Sequence, residues 1–493
     1  MASLPLNFRF ESAISLAKSI RKKKISSLEL LEEYEKNCKI YNPSLNAIVT
    51  TDFESARRRA KKLDDLAANN QFIGPLHGLP ITVKDTFKTK GLRSTAGAEE
   101  LSENIPTENA VPVQRVIDAG AFVFGKSNTP RFAADIQTNN KVFGMTNNPW
   151  DVSRTSGGSS GGSAAATAAG LTAFELGSDV GGSLRTPASF CGIYTIKPSF
   201  GIVPTSGLIS SLRDQLSPRD ISCVGPMARS AEDLDFLLDV LAAPTANDAS
   251  AWQLELPQPT IKNLSDYRVA AWIDDESFPV DDTVKQKLED TIRELEKVGV
   301  TVNRNARPDF TLAEAADVYL RLLACSSLVG MTDEEYETRK NTIENFPDAI
   351  KDRWGFNLVR YSLLSARDQL IANEDRYQLQ KKWKDFFADY DILLSPVTQI
   401  PAFKHIDTNM NFFQDIFINN KKHEYAELLA WVGALAGVSY LPAVSAPIGL
   451  SDTGLPVGVQ IIAPYLQDKS AIDFSKKLKN ICEGFNPPPN VIS

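Results

Sequence analysis

Two glycine-framed serines, Ser159 and Ser183, sit 24 positions apart in a stretch whose composition suits nucleophilic catalysis. The chain reads Ser-Gly-Gly-Ser-Ser-Gly-Gly over 156–162 and Gly-Ser-Asp-Val-Gly-Gly-Ser-Leu-Arg-Thr-Pro over 177–187. Glycine lets backbone N–H groups crowd against a ligand in conformations that other residues avoid. Two such loops can therefore converge to build a nucleophile beside an anion-binding nest. A flexible linker would share this composition. The run from Ala164 to Phe174 speaks against a linker, because it is apolar enough to be buried and too short to span a membrane. It reads as a core helix running into a strand, with the glycine loops as its pinned ends.

A serine hydroxyl needs a base, and two are available. Gly157-Gly-Ser-Ser-Gly161 satisfies Gly-x-Ser-x-Gly, the elbow of α/β-hydrolases, whose triad adds an acid and a histidine later in the chain. The histidines are His77, His405 and His423, and His77 precedes the serines, so this reading rests on His405 or His423. The pattern also fits twice, centred on Ser159 or on Ser160. The other base is a lysine. With a free pKa of about 10.4 it is protonated at neutral pH, but burial disfavours the charged form and can lower that value by several units. Lys84 suits this role, since Gly78-Leu-Pro-Ile-Thr-Val-Lys-Asp puts it where a short apolar strand gives way to a polar turn.

Five motifs then fall in order: Gly78-Leu-Pro-Ile-Thr-Val-Lys-Asp, Gly144-x-Thr-x-Asn-Pro-Trp150, Gly157-Gly-Ser-Ser-Gly-Gly, Gly181-Gly-Ser-Leu-Arg-Thr-Pro and Gly192-Ile-Tyr-Thr-Ile-Lys-Pro198. Together with the late Gly454-Leu-Pro-Val-Gly-Val-Gln stretch, they resemble the amidase signature family of serine amidohydrolases, most densely from about 78 to 207. The resemblance implies a Ser–cis-Ser–Lys triad. Ser183 would be the nucleophile, Ser159 the bridging serine after a cis Gly158–Ser159 peptide, and Lys84 the base. The backbone N–H groups of Val180, Gly181, Gly182 and Ser183 would form the oxyanion hole. Asp179 and Arg185 would brace the nucleophile loop, while Ser160 and Ser178 would hold the relay through further hydrogen bonds. Cys191, set among core-like residues, reads as a small buried side chain rather than a nucleophile.

The implied reaction is cleavage of a carboxylic acid amide through an acyl-enzyme, releasing ammonia or an amine, with esters also within reach and with no cofactor or metal. A stand-alone amidase acting on a small linear amide is expected. The family also contains the glutaminase component of tRNA-dependent amidotransferases, which must hold the amine and carboxylate of free glutamine. Here Ala434-Leu-Ala-Gly-Val-Ser-Tyr-Leu-Pro-Ala lacks an acid, and Phe356-Asn-Leu-Val-Arg-Tyr matches that component's arginine motif poorly. A catalytically silent amide-binding scaffold is a third reading, opposed by the presence of all three triad residues.

The rest of the chain must position this chemistry. Its 493 residues carry 53 basic and 61 acidic side chains, a net charge of −8 that argues against a nucleic-acid partner, since phosphate binding needs a cationic face. Arg57-Arg58-Arg59 with Lys61-Lys62 reads as a solvated helix face. Cys38, Cys191, Cys223, Cys325 and Cys482 are odd in number and scattered, so neither a disulfide framework nor a zinc site is expected. Without a signal-like N-terminus or a long apolar span, the expected address is the cytoplasm.

Helix and strand patterns alternate. Ser26 and Glu29 form a capping-box pattern, β-like runs lie near 81–83, 121–124, 269–273, 392–394 and 457–462, and helices are expected over 230–242 and 282–298. The expectation is an α/β fold with a large mixed, twisted sheet covered by helices on both faces. One domain over 1–493 would carry a linker-like loop at 243–259 and an irregular substrate cap over about 312–430. There Phe403, Phe412, Phe413 and Phe417 hint at an apolar substrate wall. Members of the family are often dimers, so a homodimer is compatible with the resemblance.

Overall fold

The computed structural model describes residues 7–326, 328–348, 351, 353–406 and 412–491. Its centre is an eight-stranded mixed sheet. In spatial order the strands are Thr301–Asn303, Arg268–Ala271, Ile392–Pro396, Pro456–Ile462, Ala443–Leu450, Tyr194–Lys197, Cys223–Ala228 and Glu175–Asp179. The first three pair in parallel, and the remaining pairs are antiparallel. Glu175–Asp179, Tyr194–Lys197, Cys223–Ala228 and Pro456–Ile462 are buried at every position, so they lack the alternation of a sheet with one wet face. That burial requires cover on both faces. Helices Arg185–Cys191, Asp282–Lys297 and Asp468–Leu478 all pack on the Ala443–Leu450 and Pro456–Ile462 strands.

A second, three-stranded sheet brings in the lysine. Its middle strand, Phe122–Ser127, pairs antiparallel with Ile48–Thr51 and parallel with Pro80–Lys84. The Pro80–Lys84 strand packs against Glu175–Asp179 at the edge of the large sheet, tied there by Thr82 N donating to Thr172 Oγ1 at 3.0 Å. Lys84 and the Ser183 loop, remote in sequence, are thereby brought to one end of adjoining strands.

The local signals hold where periodicity is strong. Ser26 caps the helix Ser27–Leu45 in a full capping box with Glu29, and the expected helices appear as Ala231–Leu241 and Asp282–Lys297. Ala164 to Ala168 lies in the buried helix Gly161–Ala168, which leads to the strand Glu175–Asp179. The segment over 312–430 needs correction. It contains helices Leu312–Ser326, Asp333–Glu344, Trp354–Tyr361 and Ala366–Phe386 and a hairpin of Asp415–Ile418 with Lys421–Glu424. Asp333–Glu344 buries no residue and Ala366–Phe386 buries five of 21, so their apolar periodicity is too faint to read. Among the described residues no helix is long and apolar enough to cross a membrane.

Candidate active site

Lys84 closes a strand in which every residue is buried, and its own side chain is wholly buried. A long apolar stem on a β-strand thus carries an amine into a dry interior, where its Nζ reaches Ser159 Oγ at 2.7 Å and Ser178 Oγ at 3.0 Å. Burial lowers its pKa from the ordinary lysine value to about 7, while the charges of Asp179 and Glu175 act in the opposite sense. The amine is therefore half neutral near physiological pH, which is the state a general base requires.

Ser159 stands just before the helix Gly161–Ala168, and the Gly158–Ser159 peptide is cis. Ser183 lies in the loop between the strand Glu175–Asp179 and the helix Arg185–Cys191. Ser160 latches the two loops together, its N–H donating to Ser183 O at 3.2 Å and its hydroxyl to Ser178 O at 3.3 Å. Ser159, Ser178 and Ser183 all face one cavity of about 510 Å³. Lys84, Ser159 and Ser178 are joined by hydrogen bonds. Ser183 shares the cavity wall with them, and its hydroxyl has no hydrogen-bond partner among the described residues, so it remains open to an incoming carbonyl.

The loop that carries Ser183 is shaped by one buried ion pair. Arg185 grips Asp179 with Nε to Oδ2 at 3.0 Å and Nη2 to Oδ1 at 2.9 Å, and both side chains are fully buried. The remaining guanidinium nitrogen donates to Val432 O at 2.8 Å and Gln460 Oε1 at 2.6 Å. Burial raises the Asp179 pKa, but Arg185, the charge of Lys197 and the Gly182 N–H together hold the carboxyl below the usual range. Asp179 then accepts from two loop amides, Gly182 N at 2.8 Å and Leu184 N at 3.1 Å. Gly182 adopts φ +92°, a left-handed turn that side chains resist, and this aims its N–H at the carboxylate.

One expected oxyanion donor is thereby lost. Because the Gly182 N–H is engaged by Asp179, it is not free to meet an oxyanion. The N–H groups of Val180, Gly181 and Ser183 have no acceptor among the described residues, and all three residues line the cavity. The sequence could not show this, since it depends on where the Asp179 side chain turns.

The histidine alternative finds no support in the geometry. Neither His405 nor His423 lines the cavity with Ser159, and His423 Nδ1 instead pairs with Glu427 Oε2 at 3.0 Å. Cys191 is buried with Sγ 3.5 Å from Ser156 O, and burial pushes its thiol pKa upward. Of the four phenylalanines singled out, Phe412 and Phe413 line the cavity. Phe403 packs edge-on against Phe190 and Tyr425, and Phe417 is exposed on the hairpin.

Sequence reasoning missed several groups near the site. Lys126 and Glu175 are buried beside Lys84, and burial shifts each towards neutrality, the lysine down to about 8 and the carboxyl up to about 8. Tyr319, Arg219 and Arg339 also reach the cavity. No motif marks them, because they come from separate helices and a loop. Among the described residues no cluster of His, Cys, Asp and Glu could hold a metal ion.

Comparison with known proteins agrees with this architecture. A family model described as Amidase matches residues 29–472. The A component of the glutamyl-tRNA(Gln) amidotransferase of Geobacillus thermodenitrificans (strain NG80-2) is 32% identical over 470 residues, covering 92% of this chain and 93% of the relative. The crystal structure of an amidase superposes with a TM-score of 0.78 at 27% identity, covering 96% of this chain and 100% of its own. A bacterial aryl acylamidase of the amidase signature enzymes has a TM-score of 0.80 at 23% identity over 96% of both chains, which establishes the shared fold. With a family match across most of its length and a fold shared with a solved amidase, the chain belongs to the amidase signature family of hydrolases that act on C–N bonds.

Proposed function

We propose that the protein is a stand-alone serine amidase in which Lys84, Ser159 and Ser183 form the catalytic relay. The observation that carries this reading is the fully buried Lys84 amine, 2.7 Å from Ser159 Oγ and with its pKa brought down to about 7. Neutral Lys84 takes the Ser159 proton as Ser159 takes that of Ser183, and Ser183 Oγ bonds to the amide carbon. The oxyanion is met by the N–H groups of Val180, Gly181 and Ser183. As the C–N bond breaks, the proton returns through Ser159 to the leaving nitrogen. Water then repeats the sequence on the acyl-enzyme and releases the acid.

The cavity argues for a substrate with an apolar portion. Leu208, Ile209, Leu323, Leu358, Phe412 and Phe413 line it. The names of the amidotransferase relatives suggest a second reading, a glutaminase that works within a larger amidotransferase. That role calls for an acid to hold the glutamine ammonium. Among the described lining residues Asp135 is the one carboxylate, and its Oδ1 already accepts from Tyr425 Oη at 2.7 Å and from Ile136 N at 2.7 Å. The stand-alone reading is therefore preferred.

The test is labelling with a fluorophosphonate, with peptide mapping, followed by turnover of an acyl 4-nitroanilide beside glutamine. A single adduct on Ser183, lost in Ser183→Ala, together with faster anilide cleavage, is expected. An adduct on Ser159 or Ser160 would sink the relay, and glutamine as the better substrate would favour the glutaminase reading.

A further inference from the structure

Most interior arginines of this protein are neutralised or fully bonded. Arg185 pairs with Asp179, Arg376 pairs with Asp220, and Arg229 donates to four backbone carbonyls. Arg219 and Arg339 are exceptions. Both are half-buried and both line the catalytic cavity, yet neither forms an ion pair among the described residues. Arg219 makes one long hydrogen bond, Nε to Ser326 Oγ at 3.4 Å. Its sequence neighbour Asp220 cannot neutralise it, because that carboxylate is held by Arg376 at 2.8 Å and by Tyr440 Oη at 2.6 Å.

A third polar group faces the same space. Tyr319 Oη is buried without a hydrogen-bond partner, although Tyr319 also lines the cavity. Tyr319, Leu323 and Ser326 recur at helical spacing on Leu312–Ser326, so they share a face, and that face meets Arg219. Burial holds the Tyr319 hydroxyl pKa above its ordinary value, and the charge of Arg219 reaches it in the opposite sense. A partly desolvated guanidinium and an orphaned buried hydroxyl at one cavity wall are both costly unless an acceptor arrives. A carboxylate supplies what both lack, since it accepts from a guanidinium fork and a phenol at once.

We infer that Arg219, with the Tyr319 hydroxyl and Arg339, receives a carboxylate carried by the amide substrate, separated from the scissile bond by an apolar spacer. The inference rests on the amidase reading and narrows its substrate class to anionic amides. The spacer lies against Leu208, Ile209 and Leu358, while the scissile carbonyl faces Ser183.

Calorimetric binding to Ser183→Ala tests the site without turnover. The probes are the mono-4-nitroanilides of succinate, glutarate and adipate, each beside the neutral butyryl, pentanoyl or hexanoyl 4-nitroanilide of equal length. A further pair, pentanoyl-4-aminobenzoate and pentanoyl anilide, puts the charge on the amine side. In at least one pair the acid is expected to bind about tenfold or more tighter, as a charge-assisted hydrogen bond would give. Adding Arg219→Gln should remove that ratio, with a smaller loss for Arg339→Gln. A preference confined to the aminobenzoate pair would support the site and assign the carboxylate to the leaving group.

The inference is overturned if every acid binds no tighter than its neutral partner, or if Arg219→Gln weakens both arms equally, as a structural role would. Nitroaniline release by the protein with Ser183 intact is read separately. Preference in binding without any release would sink the amidase reading and leave the arginine site standing, and release without preference would do the reverse.

Discussion

If the proposed relay holds, the burial of Lys84 turns the reaction rate into a titration curve. The variable to change is pH, and the reporter is the second-order rate of fluorophosphonate labelling of Ser183, which needs no known substrate. With the Lys84 pKa at about 7, the neutral fraction is half at that pH. It falls to about one part in eleven one unit lower and rises to about ten parts in eleven one unit higher. An unperturbed lysine with a pKa near 10.4 would be neutral in only about one molecule in 2,500 at pH 7. The interior therefore enriches the base form about a thousandfold, equivalent to about 5 kcal/mol of differential solvation. The sign follows from the direction of the shift: activity is lost as pH falls through the lowered value and reaches a plateau above it. Labelling is thus expected to rise about tenfold per unit below the midpoint and to flatten above about pH 8. Lys84→Ala should abolish the curve and most of the rate. A profile that is flat from pH 5.5 to 8, or that inflects near 10, would rule out a buried lysine as the base.

Lys84→Met should be inactive yet more stable at neutral pH by about 2–5 kcal/mol, because the lowered Lys84 pKa costs the folded protein about 4–5 kcal/mol between pH 10.5 and 7, a trade seen where a functional group is held in a costly place. Because the folded lysine resists protonation that the unfolded chain accepts, that gain should open as pH falls from about 10.5 to about 7 and then hold constant, as thermal melts across pH would reveal. Asp179→Asn breaks a pair with no exposed surface and leaves Arg185 uncompensated, so denaturant unfolding should show a loss of about 3–5 kcal/mol. Gly181→Ala puts a Cβ hard against Tyr319 Oη but 3.7 Å from Tyr319 Cζ. On a neutral anilide its kcat/KM should therefore fall and be partly restored by adding Tyr319→Phe, and strictly additive losses would show that the clash is not the cause. His405→Ala and His423→Ala should leave Ser183 labelling intact, and loss in either would return the histidine elbow to contention.

The residues of the proposed relay and their rough position are legible in local residue patterns. Glycines crowd around Ser159 and Ser183 because only they permit the close backbone turns there, and an apolar run ending in Lys84 already implies an amine carried into the interior. The Ser26–Glu29 cap and the helix at Asp282–Lys297 are equally legible, since capping and amphipathic spacing are local properties. The helices Asp333–Glu344 and Ala366–Phe386 are not, because they bury few residues or none and their packing depends on partners far along the chain. It takes the folded arrangement to show that Asp179 claims the Gly182 N–H and removes it from the proposed oxyanion donors. The same holds for Arg219, Tyr319 and Arg339, which are spread over 120 positions and line the same cavity. Spacing along a chain encodes which residues can share a helix face or a turn. Which side chain takes which partner across the interior is set by the competition for hydrogen bonds and charge once water has been excluded.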